Sequence, residues 1–123
     1  MIGLKFFPRA LVLIALLQTW AVAEIASEKH SEVQYLLDFV ATSGCDFERN
    51  GTKHASEAAA DHLRMKYKKG RRYVNTAEQF IDRVASESSW TGRKYTATCN
   101  GKEIASGPWL HETLRKYRQN TSG

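Results

Sequence analysis

Whatever this chain folds into must accommodate two cysteines, Cys45 and Cys99, that stand more than fifty positions apart. What they do depends on the compartment, and the first 23 residues bear on that. Lys5 and Arg9 charge the start, residues 10–17 are an unbroken apolar run, and Ala21-Val22-Ala23 places small residues two apart ahead of Glu24. This is the pattern of a Sec-type signal peptide with an A-x-A cleavage site. The apolar run is too short to serve comfortably as a membrane span, and no cysteine follows the cleavage site to carry a lipid. The expectation is export to the periplasm, removal of residues 1–23, and a mature domain of residues 24–123. There, an even cysteine count reads as one structural disulfide. Closing a loop of about 55 residues removes denatured-state entropy worth roughly 4 kcal/mol in the chain-entropy treatment. A redox-active pair has neither a C-x-x-C spacing nor a neighbouring thiol to support it.

The remaining stretch is the size of one small domain, and 42% hydrophobic with 25% charged residues is the balance of a chain that buries a core. Eighteen basic and thirteen acidic side chains give +5, and losing Lys5 and Arg9 with the leader lowers this to +3. So mild a charge gives no expectation of nucleic-acid binding.

Punctuation and periodicity divide the domain. Ser31-Glu32-Val33-Gln34 reads as a capping box opening a helix with Val33, Leu36, Leu37 and Val40 on one face and Gly44 as its stop. Residues 45–49 alternate, Asn50-Gly51 is a hairpin signal, and residues 52–55 return as a second strand. Ser56 is placed to cap a helix over residues 57–69 with Ala59, Leu63 and Tyr67 on one face and Gly70 as stop. A second capping box, Thr76-Ala77-Glu78-Gln79, opens a helix carrying Phe80, Ile81, Val84, Ala85 and Ser88. Residues 94–99 alternate before a second hairpin signal, Asn100-Gly101, and a strand over residues 102–105. Ser106 and Pro108 suit the start of a last helix with Trp109, Leu110, Leu114 and Tyr117. Four helices and a small antiparallel sheet make an α+β domain. Cys45 opens one strand and Cys99 closes another, so antiparallel pairing of the two would join the sulfurs.

Chemistry is harder to read. Lys66, Lys68, Lys69, Arg71 and Arg72 form the densest charge cluster, suited either to phosphate groups of an envelope component or to the negative pole of the second helix. His30, His54, His62 and His111 give no i, i+4 pair, so no metal site is expected, and no cofactor motif occurs. Ser88 or Ser89 with His62 and Asp61 or Asp82 would make a small hydrolase or transferase, but no G-x-S-x-G or S-x-x-K frame surrounds them. The plainer role for both serines is turn chemistry. The sequons at Asn50 and Asn120 bear on glycosylation only in a eukaryotic source.

The ordered motifs S-G-C-x-F-x-R-N-G (43–51), E-A-A-x-x-H-L-R-x-K (57–66), T-A-E-Q-F-I-D-x-V-A-S-x-S-S (76–89) and T-G-R-K-Y (91–95), with Trp109-Leu110 and Tyr117-Arg118, resemble the YfeK-like family. The resemblance covers nearly all of the mature domain. It implies a small secreted, periplasmic protein of unknown function, and a disulfide that stabilises without acting as a functional centre. The matched segments concentrate Arg49, Asn50, His62, Arg64, Lys66, Ser88, Ser89, Thr91 and Lys94, which would form one surface for an anionic or hydroxyl-rich partner, or else satisfy loop backbone internally. A further segment, Thr91-Gly92-x-x-Tyr95, loosely resembles the S-G-x-x-Y of bacterial C-type lysozyme inhibitors, but the chain is too helical for their barrel and its basic charge would repel a basic lysozyme. The preferred expectation is a non-catalytic binding or interaction module of the cell envelope, its partner a periplasmic protein or an anionic envelope component. The small hydrolase and an inhibitor or immunity-type protein stand as alternatives.

Overall fold

A computed structural model of the protein describes the backbone of residues 7–122 and the side chains of residues 24–122. The charged start of the leader, its apolar run and the Ala21-Val22-Ala23 site therefore lie, as side chains, outside the described residues. The elements are α1 (Phe7–Thr42), β1 (Asp46–Arg49), β2 (Thr52–His54), α2 (Ser56–Gly70), a 3-10 turn (Arg71–Tyr73), α3 (Ala77–Phe80), a π-helical turn (Ile81–Ala85), β3 (Thr96–Cys99), β4 (Lys102–Ala105) and α4 (Ser106–Thr121). The four strands form one antiparallel sheet in the order β2-β1-β3-β4, so the fold is α+β as the punctuation predicts. Among the described residues no helix is long and apolar enough to cross a membrane.

Both hairpins turn where the sequence places them. Asn50 and Gly51 have φ of 50° and 81°, Asn100 and Gly101 of 52° and 78°. Two successive positive φ values give the type I′ twist that a two-residue hairpin needs, and Asn-Gly is the pair that adopts it most readily. In β1 and β3, Asp46 lies opposite Thr98, so the next positions outward, Cys45 and Cys99, face each other and are disulfide-bonded with their Cα atoms 4.6 Å apart. The crosslink thus fixes the register of the two central strands.

The helices pack where the apolar stripes require. Val33, Leu36, Leu37 and Val40 of α1 are fully buried, with Leu63 and Tyr67 of α2, Phe80 and Ile81, and Leu110 and Leu114 of α4. Trp109 lies between Phe39 and Phe47, ring centroids 4.9 and 5.6 Å away, joining α1, β1 and α4. At the far end Arg118 donates Nε and Nη2 to the two carboxylate oxygens of Glu32 at 2.6 and 3.0 Å and Nη1 to Glu78, tying α4 to α1 and α3.

Helix starts and one helix interior differ from the sequence reading. The Ser31 box caps nothing, because α1 runs unbroken from Phe7: between Arg9 and Thr42 no Pro or Gly interrupts a stretch rich in Ala and Leu, and a capping box needs a non-helical first residue. Glu32 serves Arg118 instead. At α2 the capping position is Ala55, without a side-chain cap, and Ser56 is the first helical residue. The Thr76 box does form: Thr76 Oγ1 accepts the Gln79 amide, while Gln79 Oε1 accepts the amide of Asn75, one residue before the cap. The helix it opens keeps α geometry for one turn and then widens to π geometry at Ile81–Ala85, so Ser86 Oγ bonds Ile81 O at 2.6 Å across five residues.

Replacing Cys45 and Cys99 by serine is expected to cost about 4 kcal/mol of unfolding free energy, the entropy of the loop the bond closes. Urea unfolding of variant and wild type measures the difference, and wild type in reductant should approach the variant.

Candidate functional site

Three segments converge beside the β1–β2 turn. Residues 86–95 form a small arm closed by backbone hydrogen bonds from Ser88 N to Arg93 O, Gly92 N to Ser88 O and Tyr95 N to Ser86 O, with Glu87 and Lys94 bridged antiparallel. The arm is fastened to the β1–β2 turn by Asn50, whose Nδ2 donates to Ser88 Oγ at 3.2 Å and whose Oδ1 accepts Thr91 Oγ1 at 2.7 Å. It is fastened to α2 by Lys66, whose Nζ donates to Val84 O, Glu87 O and the Tyr95 hydroxyl at 2.7, 3.0 and 3.0 Å. Val84 lies in the π turn and Glu87 just beyond it, so the ammonium meets carbonyls that the helix leaves unmatched, where a cation is favoured. Burial, the first cause, and neighbouring Arg49 lower the Lys66 pKa, while Glu87 opposes them. Lys66 is therefore no part of a solvated basic patch.

An open cleft of about 490 Å³ lies between these segments. Arg49, Asn50, His62, Lys66, Ser88 and Ser89, all named by the sequence reading, line it together with Met65, Lys69, Trp90 and Tyr95. Arg49 Nη1 stands 2.5 and 2.7 Å from the two ring nitrogens of His62, and Nη2 is 3.4 Å from His54 Nε2. An arginine has no lone pair to offer and stays charged, so the His62 ring must accept and must be neutral. Burial, Arg49, Lys66 and His54, in that order, press its pKa down to about 4. Three cations, Arg49, Lys66 and Lys69, line the cleft and no carboxylate does. Among the described residues Arg49 makes no ion pair.

Other expected site residues are turned to different tasks. Arg64 reaches Asp61 and, at 3.2 Å, Asp38 of α1, while Lys94 pairs with Glu87 at 2.7 Å. Thr91 stands behind Asn50 and orients it, its own Oγ1 also accepting the Arg93 amide. Ser88 Oγ accepts from Asn50 and from the Trp90 and Thr91 amides, a turn-capping arrangement. Asp82 is engaged by His111 and Asp61 by Arg64, and among the described residues no hydrogen bond joins His62 to a serine or a carboxylate. The basic cluster also divides: Arg71 lies over the Tyr67 ring and Arg72 over Tyr73, 5.6 and 4.9 Å from the centroids, leaving Lys69 at the cleft and Lys68 exposed. Three lining residues, Met65, Trp90 and Tyr95, went unread as site residues. Trp90 sits in what the sequence marks only as a turn, yet it is 97% exposed, and Tyr95 reads simply as an apolar strand position. A tryptophan placed in a Ser/Thr/Gly turn rather than on an apolar stripe was the available signal.

Comparison with known proteins adds the family. The profile of a family of unknown function (DUF5329) matches residues 27–118. The chain belongs to this family. It is 37% identical over 92 residues to the uncharacterized protein YfeK of Salmonella typhimurium strain LT2, covering 74% of this chain and 75% of that protein. No solved structure gives a significant match.

Replacing Lys66 by Met, which keeps the stem and removes the ammonium, leaves the Val84 and Glu87 carbonyls without their donor. The expected loss is about 2 kcal/mol in urea unfolding, with faster amide exchange at residues 86–95 than elsewhere.

Proposed function

We propose that this protein is an exported, non-catalytic binding module of the cell envelope that holds an anionic group in the cleft between α2, the β1–β2 turn and the 86–95 arm. The observation that carries the reading is the uncompensated charge: the Arg49 guanidinium, held against the His62 and His54 rings and making no ion pair among the described residues, stands in a half-open cleft lined by three cations and no carboxylate. Guanidinium matches the two oxygens of a carboxylate or phosphate, and a partly desolvated site strengthens that attraction over its value in bulk water. A recess of this volume suits a small ligand or the acidic end of a larger one. Export rests on the leader pattern of residues 1–23.

The same geometry argues against a hydrolase. His62 with a pKa near 4 is a weak base at neutral pH, and it faces a cation rather than a nucleophile. Ser88 Oγ is occupied by three donors.

Protein recovered from the periplasm should begin at Glu24. Titrated with inorganic phosphate at low salt, it should show nuclear magnetic resonance shifts at Arg49, Asn50 and Trp90 that fade as salt is added and vanish in Arg49→Gln. Shifts scattered over the surface, or unchanged in the variant, would contradict the reading.

A further inference from the structure

The cleft has two unlike walls. On one side stand Arg49 and Lys69, with the neutral ring of His62 between polar groups. On the other the 86–95 arm projects Trp90, 97% exposed, with the exposed hydroxyl of Ser89 beside it. The Trp90 side chain contributes nothing to the core, yet the arm beneath it is held in place by Asn50 to Ser88 and Thr91 and by Lys66 to Glu87 and Tyr95. The indole therefore stands exposed on a braced support at the lining of the cleft.

We propose that the ligand of this cleft is an acidic saccharide, a pyranose carrying a carboxylate or phosphate, whose charged group meets Arg49 and whose ring face lies on Trp90. The inference rests on the anion-binding reading above and narrows it. The negative face of an indole attracts the weakly positive C–H face of a sugar ring, and a large rigid aromatic contact adds affinity with little loss of side-chain freedom. A flat apolar ligand would find too little to bind here, since the lining mixes three cations and several hydroxyl and amide groups with only Trp90, Met65 and Tyr95. A bare inorganic anion would leave Trp90 without a role. A sugar acid uses both walls, and its hydroxyls suit the exposed Ser89 and the His62 ring.

The test is isothermal titration calorimetry of the exported protein, at neutral pH and low salt, with glucuronate, glucose 6-phosphate, glucose, acetate and inorganic phosphate. Expected is binding of a sugar acid at least tenfold tighter than acetate or phosphate and tighter than glucose, from either the carboxylate or the phosphate sugar. Trp90→Ala, whose exposed side chain can be removed without touching the core, should erase that advantage while leaving binding of the simple anions. Arg49→Gln, checked for native unfolding behaviour, should lose all of them. Acetate or phosphate binding as tightly as the sugar acids, or equal binding by Trp90→Ala, overturns the saccharide inference and leaves the anion cleft standing. If neither the simple anions nor the sugar acids bind, both the inference and the anion-binding reading are overturned.

Discussion

The architecture of the candidate site depends on one partly buried ammonium. Lys66 extends from α2 to two carbonyls at the end of the π turn and to the Tyr95 hydroxyl, joining three elements that have no continuous backbone ladder between them. A cation taken this far from water must have acceptors close by, or its desolvation destabilises the fold. Here the acceptors are the C-terminal carbonyls of a helix that widened to present them. Lys66 thus holds the 86–95 arm to α2, and Asn50 clips its other side to the hairpin turn.

That arrangement has an electrostatic consequence. Lys66 donates to neutral oxygens, and the Glu87 carboxylate, itself engaged by Lys94, offsets its charge only in part. Arg49 then enters the same region from β1, and His62, desolvated by burial and facing these two cations, stays neutral. Arg118 pairs with Glu32 and Glu78, and Arg64 with Asp38 and Asp61. The lining of the cleft gathers three cations with no such partner among its residues.

Much of this was legible in the residues. The two Asn-Gly turns, the α1 stripe from Val33 to Val40, the Thr76 box and the Cys45–Cys99 register follow from local rules, because each depends on neighbours in sequence or on strict strand alternation. The Ser31 box misled, since a capping motif cannot announce that the preceding residues continue the helix. Lys66 was grouped with its charged neighbours, although Ala59, His62, Leu63 and Lys66 fall at i, i+3, i+4 and i+7 and so share one face. That spacing was visible; what the ammonium would find there was not, because its acceptors appear only when a helix more than fifteen residues later deviates from α geometry. The opposition of Arg49 and His62 likewise arises from packing between β1 and α2, and no local pattern encodes it. Local chemistry thus specifies the elements and the sheet, while the site comes from long-range contacts among side chains whose local reading was plain.

A positive cleft shared by Arg49, Lys66 and His62, with no carboxylate in its lining, is what the proposed anion binding requires. Its most direct measurement is the titration of the His62 ring by nuclear magnetic resonance, with and without inorganic phosphate. Without phosphate the ring should titrate near pH 4, well below the ordinary value of 6.5. Between those values the unfolded chain takes up a proton that the native ring refuses, so stability contributed by this residue should be full above pH 6.5 and decline on acidification toward 4. An anion seated beside Arg49 should offset the positive field and raise the His62 pKa, and Arg49→Gln should abolish that response. A ring that titrates normally, or one whose pKa ignores phosphate, would contradict the account.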